Sequence, residues 1–226
     1  MEGELKPVEA AFIDNLEKLS DEKLITICLI QLKEKGYLVD KNGTLSVNMD
    51  LPLSNLEEYE RLLIEVIKSY GEVAGTHDIR QLLRKFKSLT SKSFRDAIKD
   101  NLRLKGIITV EEKSSLFGLR KKEVIHVTEK GYQLLKKYAE EKNRAIDRLV
   151  KAEPDERRRI VEEYGAMAPA YFYDLDWIFT MLFMWMLFDT MFSPQMFDLA
   201  GEEFEEATYE GSEGFEEAGE FEGFEI

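Results

Sequence analysis

Three observations predict a mostly α-helical α+β protein. Apolar residues recur at helical spacing through most of residues 7–164. Two pairs of short β-prone runs interrupt them, one around Asn42-Gly43 and one around a longer loop at residues 113–122. After residue 200 no apolar period survives, and Gly, Ser and Glu dominate.

The elements follow in order. In LKPVEAAFIDNLEKL, Pro7 suits a first helical position, and Val8, Phe12 and Leu16 repeat every four residues. SDEKLITICLIQLKEKG reads as a helix with Ser20 or Asp21 as cap and Gly36 as stop. YLVDKNGTLSV sets Asn42-Gly43 between two β-prone runs, the strongest short-range hairpin signal. The pattern then returns. LEEYERLLIEVIKSYG is a helix with Leu62, Leu63 and Val66 inward, and THDIRQLLRKFK is a second, capped by Thr76 or Asp78. SKSFRDAIKDNLRLKG is a third, with Phe94, Ala97, Ile98 and Leu102 on one face and Gly106 as stop. IITVEE and EVIHVT are strands joined by KSSLFGLRKK. A long helix runs from Thr128, and another starts at Pro154.

Helices followed by a hairpin, twice over, make the winged-helix pattern. The predicted organisation is a first winged helix at residues 1–52 and a second, with a long C-terminal helix, at 53–150. A helical segment carrying a Met- and aromatic-rich run follows at 151–199, then a disordered acidic tail at 200–226.

The net charge of −14 is unevenly spread. Residues 1–50 sum to −4, residues 59–159 to +9, and residues 201–226, with 11 Glu and no base, to −11. This polarity predicts attraction between the basic middle and the tail, whose Phe204, Tyr209, Phe215, Phe221 and Phe224 are spaced among glutamates. Cys28 is the single cysteine, which excludes a disulfide framework and a cysteine zinc cluster, and its apolar setting predicts a buried thiol. The N-terminal MEGELKPVEA has neither the basic start nor the apolar stretch of a signal peptide.

Catalytic constellations are absent from the sequence. His77 and His126 fall in different elements, and no phosphate loop, GxGxxG, HExxH or nucleophile elbow occurs. The expectation is a non-enzyme with no catalytic residue, no metal, no cofactor and no small-molecule substrate.

Two sets of residues stand out as candidate contact surfaces. Arg95, Lys99 and Arg103 repeat every four residues opposite Phe94, Ile98 and Leu102, with Lys92 at the helix start and Arg120, Lys121 and Lys122 in the wing. This is the electrostatic footprint of a polyanion site, and a helix face paired to nearby acids is the alternative. The corresponding helix of the first winged helix is apolar behind Asp21 and Glu22, which repel phosphate, so it reads as buried. Leu116, Phe117 and Leu119 beside the wing's cations fit an anionic membrane surface or a neighbouring domain. The second set lies in WIFTMLFMWMLF, residues 177–188, where Trp177, Phe183, Trp185 and Phe188 form an apolar surface. A run apolar all round must be covered, by the core, by self-association or a protein partner through residues 177–197, or by a membrane surface. Twelve residues fall short of the roughly 20 that span a bilayer.

Several segments carry a resemblance. LKPVEAAFIDNL, KLITICLIQLKEKGYLV, LEEYERLLIEVI, VTEKGYQLLKKYAEEKNRAI and EEYGAMAPAYFYDLDWIF follow one another in this order. Together they resemble the cytoplasmic region of predicted membrane proteins of unknown function (domain of unknown function 2207), over about residues 4–180. Tyr164, Ala166, Ala168, Tyr171 and Tyr173 occupy the segment resembling that family's YLPYAIALG. The family sets this region after a transmembrane segment and an extracytoplasmic β-rich domain. The resemblance therefore implies an excised cytoplasmic region or a stand-alone relative. The Glu and Phe repeats of the tail depart from the family's glycine-rich ends, and the family brings no catalytic residue. The sequence thus predicts a cytoplasmic interaction module, placed at the inner face of the cell membrane by that resemblance. The runner-up is a DNA-binding regulator using the second winged helix, autoinhibited by the tail.

Overall fold

The computed structural model describes residues 4–16, 19–41, 44–71, 73–114, 121–175, 179, 186 and 187. Most of these are helical, and two small antiparallel sheets complete an α+β architecture.

Helix α1 (Pro7–Asp14) starts with its proline in the first turn and is buried through Val8–Ile13. Helix α2 (Asp21–Glu34) is capped by Ser20, whose hydroxyl accepts the Lys23 N–H at 3.3 Å. It is apolar on every side and is buried from Leu24 to Leu32. The chain leaves α2 through Gly36 at φ +77°, a conformation that costs glycine nothing, and enters strand β1 (Leu38–Lys41). Strand β2 (Thr44–Val47) pairs with it antiparallel, Lys41 opposite Thr44 and Leu38 opposite Val47. That register leaves a two-residue connection at the Asn42-Gly43 position, which itself lies outside the described residues.

A 3-10 turn at Leu53–Asn55 leads into α3 (Glu58–Tyr70), which buries Leu63 and Val66 while Leu62 is half-covered. Strand β3 (Val73–Ala74) then pairs with β2, so one three-stranded sheet, β1-β2-β3, links residues 38–47 to residues 73–74. Helix α4 (Gly75–Leu89) begins directly after β3, which puts Thr76 and Asp78 inside its first turn instead of at its cap. Helix α5 (Ser91–Leu104) buries Phe94, Ala97, Ile98 and Leu102. Strands β4 (Ile108–Ser114) and β5 (Lys121–Val127) form the second sheet, with Ile108 opposite Val127 and Ser114 opposite Lys121. Backbone pairing thus runs further into the charged loop than the apolar pattern predicts.

Thr128 caps α6 (Glu129–Lys151), its hydroxyl accepting the Gly131 N–H at 3.1 Å. At Gly131 the helix lies so close to β4 and β5 that an added Cβ would stand 2.3 Å from the Ile107 carbonyl oxygen. Helix α7 (Pro154–Tyr164), a 3-10 turn (Gly165–Met167) and the short α8 (Ala168–Tyr171) follow.

Two apolar clusters fill the interior formed by the described residues. The larger unites α2 with α1, α3, α4 and α5, where Tyr59, Phe86 and Phe94 meet edge to face at 5.1–6.1 Å. The smaller lies among α6, α7 and α8 around Tyr138, Leu149, Val161, Tyr171 and Phe172. Helix α1 serves both, with Val8 and Phe12 in the first and Ala10 in the second. Its last residue, Asp14, accepts from the Lys142 ammonium at 2.8 Å and from the Tyr173 hydroxyl at 2.6 Å.

Candidate interaction surfaces

A buried ionic network ties the end of α5 to α1 and α3. Glu9 and Glu60 each sit three residues into their helices, α1 and α3, and turn back to accept the backbone N–H before it. Glu9 Oε2 takes the Lys6 N–H at 3.1 Å and Glu60 Oε2 takes the Glu57 N–H at 2.9 Å. Both side chains are fully buried. Their other oxygens reach across to neighbouring helices. Glu9 Oε1 accepts from the Tyr59 hydroxyl at 3.2 Å, the Asn101 amide at 2.6 Å and the Lys105 ammonium at 2.6 Å. Glu60 Oε1 accepts from Gln31 and from Lys35 on and beside α2. Glu57 pairs with Lys6 and stands 3.9 Å from Lys105. Three carboxylates therefore meet three ammonium groups, and that balance is what makes their burial tolerable. Partial burial works against the Glu57 charge, but Lys6, with Lys105 and Lys35 behind it, holds the carboxyl below the usual range.

With α5 locked in this way, its outward cations are largely committed. Arg95 is half-buried; its Nε donates to Asp21 at 2.5 Å and a terminal nitrogen donates to the Leu19 carbonyl at 2.5 Å. Lys99 reaches Glu123 on β5 at 2.5 Å and Asp96 at 2.7 Å. Partial burial opposes its charge, yet these two carboxylates keep its ammonium above the ordinary value. Arg103 is exposed, with Asp100 at 3.8 Å, and Lys92 is exposed at the start of the helix. Lys121 and Lys122 lie on β5, but their side chains, like Arg120, fall outside the described residues. The structure thus brings Lys92, Arg95, Lys99 and Arg103 onto one helix and interleaves them with Asp96 and Asp100.

A second basic edge lies next to them. Arg84 and Lys87, three residues apart on the outer side of α4, are exposed behind the buried Leu82 and Phe86. With Lys92 they have no carboxylate partner among the described residues. Lys85 lies across the Tyr70 ring, 5.6 Å from its centroid, and donates to the Ser69 carbonyl at 3.3 Å. Reading helix faces one at a time misses this edge. Its sequence signal is a run from Ile79 to Arg95 that holds six cations and no acid.

The adjoining side of α5, toward α3, offers apolar surface. Leu104 is 85% exposed at the end of the helix. It borders a cleft of about 480 Å³ between α3 and α5, lined by Leu56, Leu62 and Ala97 with Glu57, Glu58, Asp96, Asp100 and the cation Arg61, which holds Glu58, also on its walls. Of the apolar run, Trp177, Phe183, Trp185 and Phe188 lie outside the described residues. Phe179 and Leu187 are buried in the larger cluster, and Met186 packs against it. Lys23 donates to the Tyr173 carbonyl at 2.6 Å and lies 5.8 Å from the Phe179 ring centroid, which sets Phe179 beside the start of α2.

Chemistry-bearing side chains stay apart. Cys28 is buried in α2, its thiol pushed up by burial and further by Glu60. His126 faces Glu111 across the β4–β5 sheet at 3.3 Å. Among the described residues no group of three or more His, Cys, Asp or Glu could hold a metal ion, and no helix is long and apolar enough to cross a membrane. Comparison with protein-family models, with curated proteins and with solved structures finds no match for this chain.

Proposed function

We propose that this chain is a non-enzymatic interaction module built on two tandem winged helices, acting through protein contacts at the cytoplasmic face of a membrane protein or assembly. In this reading α3, α4, α5 and the β4–β5 sheet form the second winged helix, and β3, its first strand, is lent to the β1–β2 sheet. The placement at a membrane rests on the resemblance of residues 4–180 to the cytoplasmic region named above.

One observation carries the preference for a protein partner. The exposed part of α5 presents an open leucine, Leu104, beside a cleft whose walls carry four carboxylates. Those carboxylates are met by cations of the fold, Glu57 by Lys6, Glu58 by Arg61 and Asp96 by Lys99, so a nucleic-acid backbone would find the cleft's own cation, Arg61, already engaged, whereas a polypeptide would cover the leucine and the apolar floor. The DNA-regulator reading is supported less, because Arg95 and Lys99 are already engaged by Asp21, Asp96 and Glu123.

The test places a photo-crosslinking amino acid at position 104 in the full chain expressed in its source cells. The module reading expects a discrete cross-linked polypeptide that disappears when Leu62→Glu closes the cleft. Cross-linking to nucleic acid instead, together with salt-dependent binding of a 30-base-pair duplex at roughly 50 mM salt, would establish the regulator reading.

A further inference from the structure

We infer that the basic edge formed by α4 and the start of α5 is the seat of this chain's own acidic segment, residues 201–226. The inference goes beyond the module reading and uses a different face of the molecule.

The edge is a built feature of the fold. Leu82 and Phe86 anchor α4 in the core, which turns Arg84 and Lys87 outward together, and the short link to α5 sets Lys92 next in line. Lys85, also on α4, lies over the Tyr70 ring at the end of α3, where Lys68 is exposed. Among the described residues no acid pairs with Arg84, Lys87 or Lys92. Asp96 is held by Lys99 and Asp21 by Arg95, while the exposed Glu65 on α3 has no ion pair with these three. Elsewhere among the described residues the cations without an ion pair, such as Lys130, Lys136, Arg144 and Arg159, are spread along α6 and α7, and many others are matched. Lys105 and Lys35 serve Glu9 and Glu60, Lys142 serves Asp14 and Asp174, and Arg148 serves Glu163. The α4–α5 edge is therefore where cation density is left over.

The occupant follows from charge and reach. Residues 201–226 hold 11 Glu and no cation, and their five aromatic residues fall between those glutamates. The last described residue, Leu187, is in the larger core cluster, as is Phe179. Phe179 neighbours Lys23 at the start of α2, and Asp21 in that same turn holds Arg95, about one turn along α5 from Lys92. From Leu187 to Glu202 the chain extends at most about 50 Å, more than enough to reach α4 from there. Attachment through such a length keeps the segment at roughly millimolar concentration near the edge, so individually weak exposed pairs suffice to seat it. The aromatic rings add a contact that lysine and arginine stems and Tyr70 can take up.

Charge totals alone predict attraction to the whole basic middle, residues 59–159, which includes Arg95 and Lys99. Those two are occupied by carboxylates of the fold, and the segment is assigned to the cations that are not.

The test is zero-length carbodiimide coupling of glutamates to lysines in the full chain, with peptide mapping by mass spectrometry. Within single molecules, tail glutamates should couple to Lys87 and Lys92 at least fivefold more than to Lys136 and Lys151 on α6. The preference should vanish at about 0.5 M salt, where screening acts within a few ångströms. In the full-chain variants R84E/K87E/K92E and R84Q/K87Q/K92Q, coupling to the remaining edge lysines, Lys68 and Lys85, should fall toward the α6 level; the second variant guards against misfolding of the first. Even coupling over all lysines, coupling only between molecules, or none at low salt would each overturn the assignment.

Discussion

Replacing Glu9 by alanine is expected to destabilise the protein by about 3–5 kcal/mol, the range for stripping one member from a buried ion pair. The side chain is fully buried and accepts four hydrogen bonds, one from its own helix start and three from α3 and α5. Its removal leaves the buried Tyr59 hydroxyl without this acceptor, at about 1–3 kcal/mol, and the part-buried Asn101 amide loses another. Lys105 keeps 29% of its side chain exposed and can turn to water, so its share is discounted. In urea, with a slope of about 2–3 kcal/mol per molar, the unfolding midpoint should drop by about 1–2.5 M. Lys105→Met alone should also destabilise, since it leaves the Glu9 carboxylate short of its counter-charge. The double variant should then lose at least about 1 kcal/mol less than the sum of the singles. A Glu9→Ala midpoint within about 0.3 M of the parent, or strictly additive losses, would mean that water serves Glu9 and that α1, α3 and α5 are not locked together.

Two further outcomes are expected. Gly131→Ala should lower Tm by about 3–10 °C in a calorimetric melt, because the new methyl would stand 2.3 Å from the Ile107 carbonyl oxygen and 2.6 Å from Val127 Cγ1; an unchanged Tm would mean that α6 lifts off the sheet at little cost. Glu34 and Glu57 should respond oppositely to pH. Burial raises the Glu34 carboxyl against a hydrogen bond from the Ala166 N–H, so its stabilising contribution is present below about pH 4.3 and is lost as pH rises through its folded value. Glu57 is lowered, so its contribution is present above about pH 4.3 and is lost as pH falls. Urea midpoints should therefore show Glu34→Gln gaining on the parent at pH 7, while Glu57→Gln falls behind at pH 7 and draws level near pH 3; the reverse order would contradict both environments.

The elements that were legible in the sequence are those fixed by local chemistry. Asn42-Gly43 anticipates the β1–β2 register, Gly36 and Gly106 mark two helix ends at positive φ, and the buried face of α5 follows its apolar spacing. What distant residues decide was not legible. Val73-Ala74 is too short to show a period, and its partner Leu45 lies nearly thirty residues earlier. Strand β3 also runs straight into α4, which displaces the cap expected at Thr76 or Asp78. Nothing in the sequence separates Glu9 and Glu60 from the chain's many exposed acids, because their burial depends on Lys105 and Lys35 arriving from other helices. The cations of α5 show the same limit. Their spacing is local, but their engagement comes from Asp21 and Glu123, 74 and 24 residues away.

The double membership of α1 also sets a timetable for synthesis. Asp14 is joined to Tyr173, 159 residues downstream, and Ala10 belongs to a cluster completed by Tyr171 and Phe172. A ribosome adding about 5–20 residues per second needs about 8–30 s to bring those partners out. Helix formation and collapse take microseconds, so α1 folds long before its last neighbours exist. Through that interval it can lean on α2 and then on α3 and α5, but the side meant for α6 and α8 stays uncovered. Helix α1 is thus made well before the neighbours that enclose it, and the nascent chain carries its open apolar face until α6 and α8 arrive.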